Sequence, residues 1–358
     1  MNTIQSADSH PDPGEVQEHA AARSRRIFRK AVWKKLSFFL PLLAVIPSST
    51  QACDFCNCVM GINPFYTSMN RVGLTTLFQR SHSDGVASQN GVPGSKYNPE
   101  NSAYGKLYHG ADVVDSAGQP VAESERRLTF ELSYRHHLSE NLIVTGLLPF
   151  TMSRMEALGS LSVRGLGDAT VLGHYIIGDL FSERTPSTLL VGAGLELPTG
   201  NSGLRDDDGH LLDPRFQLGS GSVDVVGNIM LTIPVDKWNL ALDAYGKLNN
   251  KNSRGDRIGN SLALTASASR ELYRNNPANV ALIGVGGLRE EFAGQDRVGD
   301  VQDLSSGSSV LWGNLGAQLV IGSFKVSGTA LVPFAQQREE GGADERVRFS
   351  VGAGFEFN

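Results

Sequence analysis

The chain has 358 residues, of which 19% are charged, 8% aromatic and 40 are glycine, with a net charge of −5. This mildly acidic balance offers no basic footprint for nucleic acid, so that class of partner is excluded. The three cysteines all fall within 53–58, which excludes a disulfide framework running through the fold.

Residues 1–22 are polar and carry no hydrophobic period. Arg23, Arg25, Arg26, Arg29, Lys30, Lys34 and Lys35 then form a basic region, followed by a short apolar run, Leu36 to Pro47. Thr50 and Ala52 place small residues at the −3 and −1 positions. This order predicts a leader and secretory signal over 1–52, with Sec-type export and cleavage near Ala52/Cys53. The apolar run is too short to span a bilayer as a helix and is broken by Pro41. The leader takes seven basic and four acidic residues with it, so the remainder is more acidic.

Cys53-Asp54-Phe55-Cys56-Asn57-Cys58 opens a Cys-rich segment, 53–70, expected on the periplasmic side. Three thiols at this spacing can converge on one soft ion, Cu(I) or Zn(II), with Met60, His82 or His109 as a further ligand. In an oxidising compartment two of them can instead form a local disulfide. Lipidation of Cys53 is disfavoured because Thr50-Gln51-Ala52 lacks an apolar residue at −3. No histidine follows the Cys-x-x-Cys, so covalent haem attachment has no support.

From residue 71 to 358 the pattern is alternation. Leu128, Phe130, Leu132 and Tyr134 alternate with Arg127, Glu131, Arg135 and His137. Leu189 to Leu197, Val223 to Ile233, Trp238 to Leu248, Phe324 to Phe334 and Val347 to Phe357 repeat it, each with one apolar and one wet face. Less regular versions lie near 71–80, 141–153, 167–178, 260–271, 279–291 and 309–321. A strand sends successive side chains to opposite faces. Short turns at 139–141, 235–237, 275–277 and 322–323 alternate with longer polar loops such as 82–124 and 199–219. The prediction is an all-β fold: a transmembrane antiparallel up-and-down β-barrel of about twelve strands, with periplasmic turns and external loops. Only helices and closed barrels satisfy their backbone groups in lipid, and no later stretch is apolar enough for a helix.

This places the protein in the outer membrane of a Gram-negative-type bacterium, with outer-membrane lipid and the barrel assembly machinery as partners. Phe357 is the expected assembly cue, one residue short of the C-terminus. Trp238, Trp312, Phe150 and Phe334 suit an interfacial aromatic belt. The first and last strands should pair, bringing Arg346 and Arg348 toward the strand carrying Arg71 and Gln79.

The wet faces supply the candidate pore-lining residues: Arg127, Glu131, Arg135, His137, Glu196, Asp224, Asp243, Tyr245, Lys247, Arg346, Arg348 and Glu356. Such a ladder can line a permeation path or fill a narrow barrel with compensating ion pairs. The acidic loop Arg205-Asp206-Asp207-Asp208-Gly209-His210, with Asp213, lacks the spacing of a calcium-binding loop and reads as solvated.

Three motifs follow in order: Gly165-Leu166-Gly167-Asp168 ahead of the fourth strand, Leu197-Pro198-Thr199-Gly200 closing the fifth, and Leu218-Gly219-Ser220-Gly221-Ser222-Val223-Asp224 opening the sixth. Together they resemble the meta-pathway phenol-degradation family of outer-membrane transporters. The resemblance implies a barrel that passes small, often hydrophobic molecules. The residues themselves also suit turns and loop hydrogen bonds, an architectural role.

The function expected is a channel or transporter for a small solute, either a hydrophobic or aromatic compound or a metal ion. A soft-metal or redox-linked protein built on Cys53, Cys56 and Cys58, and a structural barrel with a filled lumen, are the alternatives. An enzyme is not expected. No Gly-x-Ser-x-Gly elbow or His-Glu-x-x-His helix occurs, and His136 should face lipid with no serine beside it.

Overall fold

The computed structural model describes residues 69–83, 123–156, 160–178, 187–207, 209, 211–212, 214–302, 306–338 and 344–357. The signal over 1–52 and the cluster Cys53, Cys56 and Cys58 lie outside them.

The strands in chain order are β1 (Asn70–Ser83), β2 (Glu123–His137), β3 (Leu142–Glu156), β4 (Ser160–Leu166), β5 (Ala169–Ile177), β6 (Thr188–Leu197), β7 (Asp224–Val235), β8 (Trp238–Leu248), β9 (Ser261–Asn275), β10 (Val280–Ala293), β11 (Arg297–Val298), β12 (Val301–Gln302), β13 (Ser308–Ile321), β14 (Phe324–Arg338), β15 (Asp344–Glu345) and β16 (Arg348–Phe357). Apart from the small hairpin β11–β12, they form one 14-stranded antiparallel sheet. Within it β4 and β5 follow one another along β3, and β15 and β16 follow one another along β1. Among the described residues, fourteen strands therefore make twelve staves.

The sheet closes on itself. Strand β1 pairs with β2 through Leu74↔Leu132 and with β16 through Asn70↔Phe357 and Phe78↔Phe349. Closure removes the open edges that an antiparallel sheet otherwise presents. Alternation decides which face looks out. In β16, Phe349, Val351 and Phe355 are exposed whereas Arg348, Ser350 and Glu356 are buried. Val72, Leu132, Val171, Ile229, Leu242 and Leu315 continue this apolar exterior around the barrel. So large an exposed apolar surface belongs against lipid, and the protein is an outer-membrane barrel.

One end of the barrel carries tight turns. Asp236 and Asn279 adopt φ of 55° and 51°, the left-handed conformation that Asp and Asn tolerate better than most side chains. The other end carries the long connections, including 198–223, 249–260 and 294–307, and faces outward from the cell. Strands β5 to β8 leave the wall low there, and 198–223 folds into the gap. Its Leu204, Leu212 and Phe216 pack on Met155, Leu161 and Val163, whose alternation places them on the inner face of the β3–β4 hairpin.

Two readings of the sequence need correction. The fourth stave does not begin after Gly165-Leu166-Gly167-Asp168. It begins at Ser160, and the motif interrupts it between β4 and β5. Trp312 is not a belt residue, because it is fully buried on the inward face of β13 with Val310 and Asn314.

Candidate functional site

The lumen is the site, and the register decides what enters it. Arg127, Glu131, Arg135, His137, Glu196, Asp224, Asp243, Tyr245, Lys247, Arg348 and Glu356 all occupy inward-facing positions of their strands. Arg346 does not. Phe78 pairs with Phe349 but Ser81 pairs with Glu345, so two residues of β1 oppose three on the last stave. This bulge reverses the alternation beyond it. Arg346 is exposed on the outer face, where its backbone N–H donates to the Arg80 carbonyl at 2.9 Å.

Among the described residues the inward charges fall into several clusters, one of them Arg127 with Glu125 at 2.9 Å on β2. Near the external mouth, the Glu291 carboxylate accepts from Arg289 Nε at 2.7 Å, Arg348 Nη1 at 2.9 Å and Trp312 Nε1 at 3.0 Å. The Arg348 guanidinium also lies 4.2 Å from the centre of the Trp312 ring and 3.3 Å from Glu345. Burying a charge is costly, and here two cations and an indole N–H compensate one fully buried carboxylate. On the opposite wall, Lys247 pairs with Glu196 and lies 3.6 Å from Asp224. Asp224 in turn accepts from Ser222 Oγ at 2.7 Å and from the Asn250 N–H at 2.8 Å. Near the tight-turn end, Lys325 meets Glu356 at 2.5 Å.

Between these clusters part of the wall is apolar. Leu147, Leu172, Val226 and Tyr245 form one buried group contributed by β3, β5, β7 and β8. Beside it, His174 and Asn228 approach one another over Gly192, which pairs with both. A Cβ at Gly192 would lie 2.2 Å from Asn228 Oδ1 and 2.4 Å from His174 Cδ2, so only glycine permits the approach. Asp243 lies on the neighbouring strand β8. The Asn228 side chain lies between His174 and Asp243 and interacts with both, but Asn228 Oδ1, both ring nitrogens of His174 and Asp243 Oδ2 fall short of good hydrogen-bond geometry, although all three residues are buried. Buried polar groups of native proteins are normally satisfied, so this set is a place to look for a ligand.

The three motifs meet at the external end of β5 to β7. Asp168 Oδ1 accepts the Gly200 N–H at 2.8 Å, and Oδ2 accepts the N–H and hydroxyl of Ser220 at 2.7 and 2.9 Å. Thr199 Oγ1 donates to the Gly167 carbonyl at 2.9 Å and accepts the Ala169 N–H at 2.8 Å. A Cβ on Gly219 would sit 2.3 Å from Asp168 Oδ1. One carboxylate therefore fastens both ends of segment 198–223 to the interrupted stave, an architectural role. In the acidic loop, Arg205 donates to the Gly209 carbonyl at 2.6 Å, and Asp208, His210 and Asp213 lie outside the described residues.

His174, Arg289 and Glu291 are lumenal residues that the pattern does not single out, whereas the alternation does place Asn228 and Lys325 on wet faces without marking them as pore-lining. Strands β5, β10 and β13 show weak alternation because apolar residues such as Leu172, Ile283, Val285 and Val310 occupy inward positions. Strand register was the missing information.

The chain is similar to several solved structures. An outer membrane channel from Pseudomonas putida F1 is 14% identical, with 83% of this chain and 98% of that chain covered and a TM-score of 0.54. The beta domain of the Bordetella autotransporter BrkA is 11% identical over 81% of this chain and all (100%) of that chain, with a TM-score of 0.39. A Pseudomonas aeruginosa FadL homologue is 10% identical over 81% and 91%, with a TM-score of 0.37. At 14% identity the likeness to the Pseudomonas putida channel is one of fold. No curated protein matches the chain. The family profile described as "Putative MetA-pathway of phenol degradation" matches residues 108–349, most of the barrel and all three motifs, and the chain belongs to that family.

Proposed function

We propose that this protein is an outer-membrane channel for small neutral solutes that combine an aromatic or hydrophobic body with a hydrogen-bonding group. The observation that carries this reading is the pairing of an apolar lumenal wall, Leu147, Leu172 and Val226, with the buried, poorly aligned polar cluster of His174, Asn228 and Asp243. A hydroxylated ring would lay its face on the former and donate its O–H to Asn228 Oδ1 or Asp243 Oδ2. Small-molecule sites are typically this mixture of apolar lining and a few placed polar groups. Family membership supports a transport role, and the chemistry of the lumen supports the class of solute.

A non-catalytic role is part of the proposal. His136 faces outward, with its ring 6.1 Å from that of Tyr134, and its partner on β3 is Val144, which supplies no nucleophile. Refolded protein in liposomes tests the reading by swelling assays with phenolic and sugar solutes of matched size. Faster entry of the phenolic solute, slowed by His174→Leu with Asn228→Leu, is expected. Equal entry of both solutes would overturn the solute class.

A filled structural barrel is the second reading, favoured by the packing of Arg289, Glu291, Trp312 and Arg348 at the external mouth. Planar-bilayer conductance separates the two, since a permanently filled lumen conducts nothing. The thiols of Cys53, Cys56 and Cys58 are proposed as a separate soft-metal site for Cu(I) or Zn(II).

A further inference from the structure

The outer face carries a feature that solute passage does not use. Arg80, Arg126 and Arg154 are direct cross-strand partners on β1, β2 and β3, all on outward positions and all exposed. The bulge before β16 adds Arg346, hydrogen bonded through its backbone to Arg80. Four arginines thus form one row over four adjacent staves, at the end of the barrel that carries the long loops. Neighbouring strands are only about 4.8 Å apart. Like charges placed directly opposite one another are destabilising, so the row requires an anion. Arg154 has Glu156 at 3.2 Å, while among the described residues Arg80, Arg126 and Arg346 have no acidic partner.

What lies beneath the row identifies the anion. One step toward the membrane centre, Phe349, Phe78, Leu128 and Met152 form a second row in the same register, apolar and turned toward lipid. A cationic row directly above an apolar bed matches a molecule with a phosphorylated head and acyl chains. Guanidinium groups suit it because each can offer two parallel N–H donors to a phosphate. We propose that this face binds the phosphorylated glucosamine headgroup of lipopolysaccharide in the outer leaflet, with its acyl chains on the aromatic and aliphatic row below. The site is independent of the lumen.

The mature protein in detergent provides the test, with bis-phosphorylated lipid A, dephosphorylated lipid A and inorganic phosphate as probes and the thermal unfolding midpoint as readout. The phosphorylated lipid is expected to raise the midpoint, and the variant Arg80→Gln/Arg126→Gln/Arg346→Gln to weaken its binding at least tenfold. The lysine version of that triple variant keeps the charge and should retain most of the binding. Arg270→Gln, on the outer face at the tight-turn end beside Trp238, should behave as wild type. Should the triple glutamine variant not assemble, Arg126→Gln alone, at the middle of the row, should weaken binding about threefold. Equal binding by wild type and the glutamine variants would overturn the proposal. So would equal stabilisation by dephosphorylated lipid, or by inorganic phosphate at the same phosphate concentration.

Discussion

Arg348 Nη1 lies 2.9 Å from Glu291 Oε2, joining the closing stave β16 to β10 over the two strands that separate them in the sheet. Both side chains are buried, so the contact works as a strut inside the barrel rather than as a surface ion pair. Removing one member of a buried pair leaves the other charge uncompensated, at a cost on the order of 3–5 kcal/mol. Glu291→Ala strands two arginines and should fall in that range, as measured by denaturant unfolding of the folded barrel. The combined variant Glu291→Ala/Arg348→Met should cost less than the sum of the two single changes. Additive costs would show that the contact contributes no coupling.

Asp168 holds the two ends of segment 198–223 through three hydrogen bonds. Hydrogen bonds to a charged acceptor contribute roughly 1.5–3 kcal/mol each, with large losses when buried donors are left unpaired. Asp168→Ala should release the segment while the strands persist, because the register of β5 with β6 does not depend on that carboxylate. Limited proteolysis should cut within 198–223 at least tenfold faster, while the barrel remains resistant. A pattern identical to wild type would remove the fastening role.

The barrel was legible in the sequence because its two signals are local. Val347 to Phe357 show the alternation residue by residue, and turns such as 235–237 announce themselves by type and length. The inward clusters are not local. Glu291 and Arg348 are far apart along the chain, and Asp168, Gly200 and Ser220 meet only after β5, β6 and β7 are in register. Arg346 shows the sharpest limit. Alternation extended backward from Arg348 places it in the lumen, and a single extra residue opposite β1 reverses that. Trp312 shows the same in another form, since position near a strand end suggests a belt while alternation places it inside.

The bulge makes a direct prediction about access. Arg346→Cys should react readily with a membrane-impermeant thiol reagent added outside intact cells, whereas Arg348→Cys, whose parent side chain is 1% exposed, should react at least tenfold more slowly. Each change is made in a background with Cys53, Cys56 and Cys58 replaced by Ser. Comparable labelling of the two positions would mean that the alternation runs unbroken into residue 346.

The thiol cluster calls for a compositional measurement. Purified mature protein, reduced and loaded with Zn(II) or Cu(I), is expected to retain about one equivalent of metal after desalting, and Cys56→Ser to lose most of it. The central cysteine is the informative one, because its removal leaves Cys53 and Cys58 five positions apart with no third thiol. Equal metal in both proteins would remove the site. One free thiol per chain without reductant, with no metal bound, would favour a disulfide between the other two instead.

Gly192 connects the barrel backbone to the solute reading. It occupies an inward position on β6 between His174 and Asn228, and those two side chains fill the volume that a Cβ would need. Gly192→Ala adds one carbon without charge, so it tests geometry alone. The flanking side chains must move apart or change rotamer, at a cost of about 1–3 kcal/mol for an overpacked position. If His174 and Asn228 form the polar half of a solute site, the substitution should slow entry of a phenolic solute several-fold. Conductance to small ions should change much less, because the charged clusters around Glu291 and Lys247 are untouched. Parallel losses in both would point to a general constriction of the lumen, and unchanged phenolic entry would separate the His174 group from transport.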